Sequence, residues 1–163
     1  MTLLSLDQST SKTGFGVFCD GKLQSSGLIC PPKSVEGIND RIYYMYKEIR
    51  KLIVKHSPDS IVFEDTTLNK IQNVEVMKWL CRLQGFVLCL CHEFNIQHVL
   101  LYPTTWRSVL GFLVGKDKKR EAQKAFAIEY VNKTHNMTLG KSDDDQAEAV
   151  AIGDAFLKMK NNA

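Results

Sequence analysis

The strongest constraint on the fold is the order in which apolar runs and turn signals alternate in the first third of the chain. Thr2 to Asp7 (TLLSLD) is a short apolar run, Gly14 to Cys19 (GFGVFC) a second, and Lys22 to Ile29 a third. Asp20-Gly21 between the last two is a hairpin signal, because a two-residue turn needs positive φ at its central positions. Pro31-Pro32 closes this opening, so an antiparallel three-stranded meander is expected. From Ser34 to His56, Ile38, Ile42, Met45, Ile49, Leu52 and Ile53 recur at helical spacing. Ser60 to Glu64 (SIVFE) reads as a buried strand, Val74 to about Phe94 as a second helix, and Ile96 to Leu101 as a further strand. Pro103 opens a short helical region through Leu113. A basic helix from about Asp117 to Asn132 and a last helix from Asp143 to about Met159 complete the chain. A meander followed by parallel strands with helical crossovers describes an α/β fold: a five-stranded mixed sheet flanked by helices. At 163 residues, a single domain spanning 1–163 is expected.

Two of the strands end on a carboxylate. Asp7 closes the first and Glu64 the next strand parallel to it, and ligands of such sheets collect at the carboxyl ends of strands. The last helix opens with Ser142-Asp143-Asp144-Asp145-Gln146-Ala147-Glu148. Asp145 and Glu148 are three apart, and Asp144 and Glu148 four apart, so either pair can share a helix face. The small apolar residues that follow (Ala149, Val150, Ala151, Ile152, Ala155) suit close packing on the sheet, which carries the helix start towards the strand ends. The plainer account of the Asp run is a helix cap with favourable dipole charges. Glu64 resists such an account, because a strand as apolar as Ile61-Val62-Phe63 is central and its terminal acid needs a partner.

Clustered carboxylates repel unless a cation sits among them. Hard divalent ions answer that need, and magnesium suits a few carboxylates combined with phosphate. Two such ions about 4 Å apart can activate a water and stabilise the leaving oxygen in phosphodiester hydrolysis. The candidate ligands are Asp7, Glu64, Glu148 and either Asp145 or Asp144.

These blocks carry a family resemblance. Leu4-Ser5-Leu6-Asp7-Gln8-Ser9-Thr10-Ser11-Lys12-Thr13-Gly14-Phe15-Gly16, then Phe63-Glu64, then Asp145-Gln146-Ala147-Glu148-Ala149-Val150-Ala151-Ile152 resemble the active-site blocks of RuvC-type Holliday-junction resolvases, in order across nearly the whole chain. The resemblance implies an RNase H-like fold, a homodimer, and magnesium- or manganese-dependent cutting of two opposed strands of a four-way DNA junction. It puts the family's acids on Asp7, Glu64, Asp145 and Glu148. Glu148 stands where an Asp is usual, and its longer side chain would shift a metal or alter metal preference. The loop Asp65 to Asn73 lacks the aromatic residue that the family often places near the junction centre. Leu68 or Ile71 could act there as an apolar wedge, against the plainer role of anchoring the loop.

Arg107, Lys116, Lys118, Lys119, Arg120 and Lys124 cluster between Trp106 and the last helix. Charge runs are usually solvated faces, but beside an acidic site that accepts a polyanion they read as phosphate contacts. Lys118 or Lys119 is the candidate lysine near the scissile phosphate. Arg107, Lys116, Arg120, Lys124 and Leu68 are candidate DNA contacts, and Trp106 reads as core. The net charge of +3 permits a polyanionic partner without requiring one. The helix Val74 to Phe94 spreads its apolar residues over an arc of roughly 200°, more than one buried face requires. Either a two-fold partner subunit or the basic helix of the same subunit would cover the surplus.

The cysteines (Cys19, Cys30, Cys81, Cys89, Cys91) form no C-x-x-C pair and read as reduced core thiols of a cytoplasmic protein. No signal peptide or membrane span is expected. Among rival functions, an actin-like sugar or acetate kinase uses a motif close to Leu6-Asp7-Gln8-Ser9-Thr10-Ser11. It also needs two lobes and paired glycines, whereas the ten glycines here are dispersed. Two further rivals are an RNase H-like nuclease acting on RNA–DNA hybrid and a non-catalytic junction-binding module. The full set of four acids argues against the binding module.

Overall fold

The computed structural model of the chain describes residues 1–67, 73–112 and 120–162. The opening meander consists of β1 (Thr2–Asp7), β2 (Thr13–Cys19) and β3 (Lys22–Ile29). Asp20 and Gly21 have φ values of 49° and 77°, the left-handed geometry that the β2–β3 hairpin demands. Then follow α1 (Ile38–His56), β4 (Ser60–Glu64), α2 (Val74–Glu93), β5 (Gln97–Leu101), α3 (Pro103–Val109) and α4 (Arg120–His135). A 3-10 turn at Lys141–Asp143 leads into α5 (Asp144–Asn161). The five strands lie in the order β3-β2-β1-β4-β5. β1 pairs antiparallel with β2 and parallel with β4, with Leu6 opposite Phe63, so Asp7 and Glu64 end adjacent strands.

Alternation along the central strands feeds two cores. Leu4, Leu6, Ile61 and Phe63 face α1 and α2, where Met45, Ile49, Leu83, Val87 and Leu90 are fully buried. Leu3 and Val62 face the other way, towards Trp106, Ala127, Val131 and the small residues of α5. The basic helix α4 therefore packs with α5, on the opposite side of the sheet from α2. This corrects the expectation that it could cover the second apolar face of α2.

Several other expectations also shift. The first helix begins at Ile38 rather than Ser34, because Val35 N–H closes a turn on the Pro32 carbonyl at 2.9 Å and Gly37 caps the helix in extended conformation. The short helix after Pro103 ends at Val109, and Gly111 follows at φ 77°. The cysteines are all free, but only Cys91 is a core thiol, its burial pushing the pKa up to about 11. Cys30, Cys81 and Cys89 are exposed and Cys19 is half-buried. On α2 the neighbours of Cys89 in sequence, Leu88 and Leu90, pack into the core, while the helical period turns Cys89 outward. No described helix is long and apolar enough to cross a membrane.

Helix α5 lies directly on β1 and β2. A Cβ added at Gly14 would sit 1.9 Å from the Asp145 carbonyl oxygen, and one at Gly153 would sit 2.3 Å from the Phe18 ring. Only glycine permits so close an approach. Gly14→Ala must push the first turn of α5 off the sheet and is expected to cost at least about 3 kcal/mol. The measurement is the urea midpoint; an unchanged midpoint would mean that α5 does not seat there.

Candidate metal centre

The seating of α5 decides which acids meet. One carboxylate oxygen each from Asp7, Asp145 and Glu148 lie within 4.8 Å of one another. Glu64 joins from the neighbouring strand end, its Oε2 accepting a hydrogen bond from Trp106 Nε1 at 2.7 Å. All four acids line one cleft of about 1190 Å³, which Arg107, Arg120 and Lys124 also line. The four predicted acids and three of the predicted basic residues are thus brought together. Leu68, Ile71, Lys116, Lys118 and Lys119 lie outside the described residues.

Asp144 and Asp145, adjacent at the start of α5, differ in what they face. Asp144 is held by Lys12 Nζ at 3.0 Å and by Lys124. Burial pushes its carboxyl up, but the two ammonium groups outweigh that and hold it below the usual range. Asp145 is the one that reaches Asp7, with Lys12 3.1 Å from its Oδ2 and Lys124 3.9 Å from its Oδ1. Lys12 also donates to the Ser142 carbonyl at 2.6 Å, pinning the turn that starts α5.

The two glutamates have their own partners. Arg107 Nη2 donates to Glu148 Oε1 at 2.9 Å and lies 4.0 Å from Glu64 Oε2. Burial raises the Glu64 carboxyl; the Trp106 hydrogen bond and the Arg107 charge offset part of the shift, and Glu148 adds to it. Asp7 is raised furthest, first by burial and then by the charges of Glu148, Glu64 and Asp145, with Lys124 offsetting only part. Thr13 braces the β1–β2 loop, donating to the Ser9 carbonyl at 2.8 Å and accepting from Ser9 N–H at 3.1 Å. On the other side, Gln84 of α2 holds the chain leaving β4 through Asp65 Oδ1 and Thr66 N–H, each at 3.1 Å.

Lys12 and Trp106 are the site residues that sequence reasoning missed. A lone lysine in a polar Ser-Thr stretch carries no signal. For Trp106 a signal existed, since a buried indole N–H needs an acceptor and Glu64 was the acid without a partner.

No protein-family model matches the chain. Curated relatives do, each a crossover junction endodeoxyribonuclease RuvC. That of Dictyoglomus turgidum is 24% identical, with 96% of each chain covered. That of Rickettsia conorii is 24% identical with 99% of each chain covered, and that of Finegoldia magna 23% identical with 93% of this chain and 90% of its own. In fold, Thermus thermophilus RuvC in complex with Holliday junction substrate matches at a TM-score of 0.78 and 15% identity, over 100% of this chain and 97% of the other. The yeast mitochondrial Holliday junction resolvase matches at a TM-score of 0.59 and 14% identity, over 98% and 78%. The mixed sheet with helices on both faces is an RNase H-like fold. Along nearly its whole length the chain is similar in sequence to RuvC-type resolvases and shares their fold.

The crowding of Asp7 has a measurable consequence. Its carboxyl holds a proton more tightly in the fold than in the unfolded chain, so stability falls as pH rises from its ordinary 3.8 through the raised value. At neutral pH in EDTA, Asp7→Asn is therefore expected to stabilise the protein by about 1 kcal/mol, or roughly 2–4 °C in melting temperature. The gain should shrink below pH 4 and when a divalent cation is added. A lowered melting temperature in EDTA would contradict the crowding.

Proposed function

We propose that this protein is a structure-selective DNA endonuclease that resolves Holliday junctions and other branched DNA by metal-dependent phosphodiester hydrolysis. The observation that carries this reading is the convergence of Asp7, Asp145 and Glu148, with Glu64 beside them, in a cleft that also holds arginine and lysine. The donor set is all carboxylate oxygen, and the strain on Asp7 is of the kind a cation relieves, so the residues fit a hard divalent ion. Asp7, Asp145 and Glu148 would hold one ion and Asp7 with Glu64 a second, Mg2+ in both with Mn2+ as substitute. Bound there, the ions supply Lewis-acid polarisation of the scissile phosphate and a water acidified to act near neutral pH.

The chain's own groups supply the rest. Lys12 and Lys124, by holding Asp144, fix the start of α5 so that Asp145 stays beside Asp7. Arg107, Arg120 and Lys124 place positive charge where the phosphate backbone would run, which gives affinity independent of sequence. Lys116, Lys118 and Lys119 would extend that charge, Lys118 or Lys119 nearest the scissile phosphate, and Leu68 would contact the junction. The outer face of α2 leaves Val74 and Phe86 exposed, with α4 on the far side of the sheet. A second copy packing along α2 would cover that face, and two-fold symmetry suits a substrate with two equivalent strands. Such a protein works inside the cell, as one folded domain spanning 1–163.

Incubation with labelled four-way junction, flap, duplex DNA and RNA–DNA hybrid tests the reading. Branched DNA should be cut with Mg2+ or Mn2+. Asp7→Asn and Glu64→Gln should each lose at least about 10³-fold in rate while still binding junction in Ca2+. Loss of binding together with cutting would make the acids structural, and preferred cutting of the hybrid would point to RNase H-type activity. Sedimentation at micromolar concentration should give twice 18.5 kDa, and a clean 18.5 kDa species would sink the dimer.

A further inference from the structure

We infer that Trp106 is a positioning residue of this site, orienting Glu64 through its ring N–H and Arg107 through its ring face. The inference rests on the metal-centre reading above and adds a residue to it. Trp106 is fully buried. Phe112 packs edge-on against it at 5.6 Å between ring centroids and an interplanar angle of 74°, and Phe112 is itself braced by Tyr130 at 5.6 Å. The indole body is therefore held rigidly, and so is the direction of its single donor.

That donor meets Glu64 Oε2 at 2.7 Å, a short bond to a group that is ionised when it binds a cation. An indole N–H only donates, so it can engage a carboxylate oxygen in one sense alone. A glutamate at a strand end has three rotatable side-chain bonds, and a ligand that must be ordered on binding loses affinity through that freedom. The Trp106 bond removes much of it before any cation arrives and occupies only one of the two oxygens. On the same ring, Arg107 Cζ lies 4.4 Å from the centroid, within cation–π range, while Arg107 Nη2 holds Glu148 Oε1 at 2.9 Å. One buried side chain thus sets a carboxylate from β4 directly and, through Arg107, a carboxylate from α5. A core position that only filled space would need neither the N–H nor its alignment on Glu64.

Trp106→Phe keeps an aromatic ring in the core and removes the donor. Calorimetric Mn2+ binding without DNA is expected to weaken about tenfold in this variant, as when a partner of a metal ligand is lost. A thermal melt in EDTA confirms that the variant is folded. Unchanged Mn2+ affinity in folded Trp106→Phe would overturn the inference. A second measurement does not depend on that variant folding. Trp79→Phe leaves Trp106 the sole tryptophan of the chain's two, and its emission should shift as Mg2+ is added. Adding Glu64→Gln should abolish the shift, and a Trp106 emission indifferent to Mg2+ would likewise overturn the inference. Wild-type protein that binds no Mn2+ would sink the metal-centre reading itself. Wild-type binding with an unaltered Trp106→Phe would sink only the role of Trp106.

Discussion

Helix α5 meets the sheet backbone to backbone, with the Asp145 carbonyl filling the space that a side chain at Gly14 would need. Everything at the site follows from that contact. It brings the first turns of a buried helix against the end of β1, so that Asp145 and Glu148 are forced next to Asp7. Ala147, Val150, Ala151, Ile152 and Ala155 are fully buried along the rest of α5. Packing of that extent holds the helix down against the repulsion of the acids it carries. The fold thus stores an electrostatic cost at one point and covers it with apolar burial over the length of a helix.

The chain's own cations are distributed selectively over the acids. Lys12 and Lys124 pair with Asp144 and also reach Asp145, and in doing so fasten the start of α5 to the β1–β2 loop and to α4. Arg107 and Trp106 steady the two glutamates. Among the described residues Asp7 makes no ion pair, although it sits where the other three acids meet. The most crowded carboxylate is the one left without a partner from the described chain, which is the arrangement expected if the partner is an added cation.

Much of the fold was legible because its signals are local. The Asp20-Gly21 turn, the apolar runs of β3 and β4, and their limits at Lys22, Ile29, Ser60 and Glu64 agree between sequence and structure. Asp7 and Glu64 were legible as acids that end apolar strands. What escaped depends on distant contacts. Asp144 and Asp145 each share a helix face with Glu148, so spacing could not choose between them. In the structure it is Asp145 that groups with Asp7 and Glu148, and that contact comes from the far end of the chain. Trp106 was legible as core but not as a donor to Glu64, 42 positions away. The cysteines misled because apolar neighbours in sequence are not apolar neighbours in space on a helix with one face turned out.

The central claim is that Asp7, Asp145 and Glu148, with Glu64 at their side, form one divalent-cation site at the strand ends. Anomalous diffraction from crystals grown with Mn2+ tests it most directly. The expected result is an anomalous peak ligated by Asp7, Asp145 and Glu148, with Asp144 still paired to Lys12 and Lys124. No peak in that cleft, or a peak ligated by Asp144 with Asp7 unengaged, would contradict it.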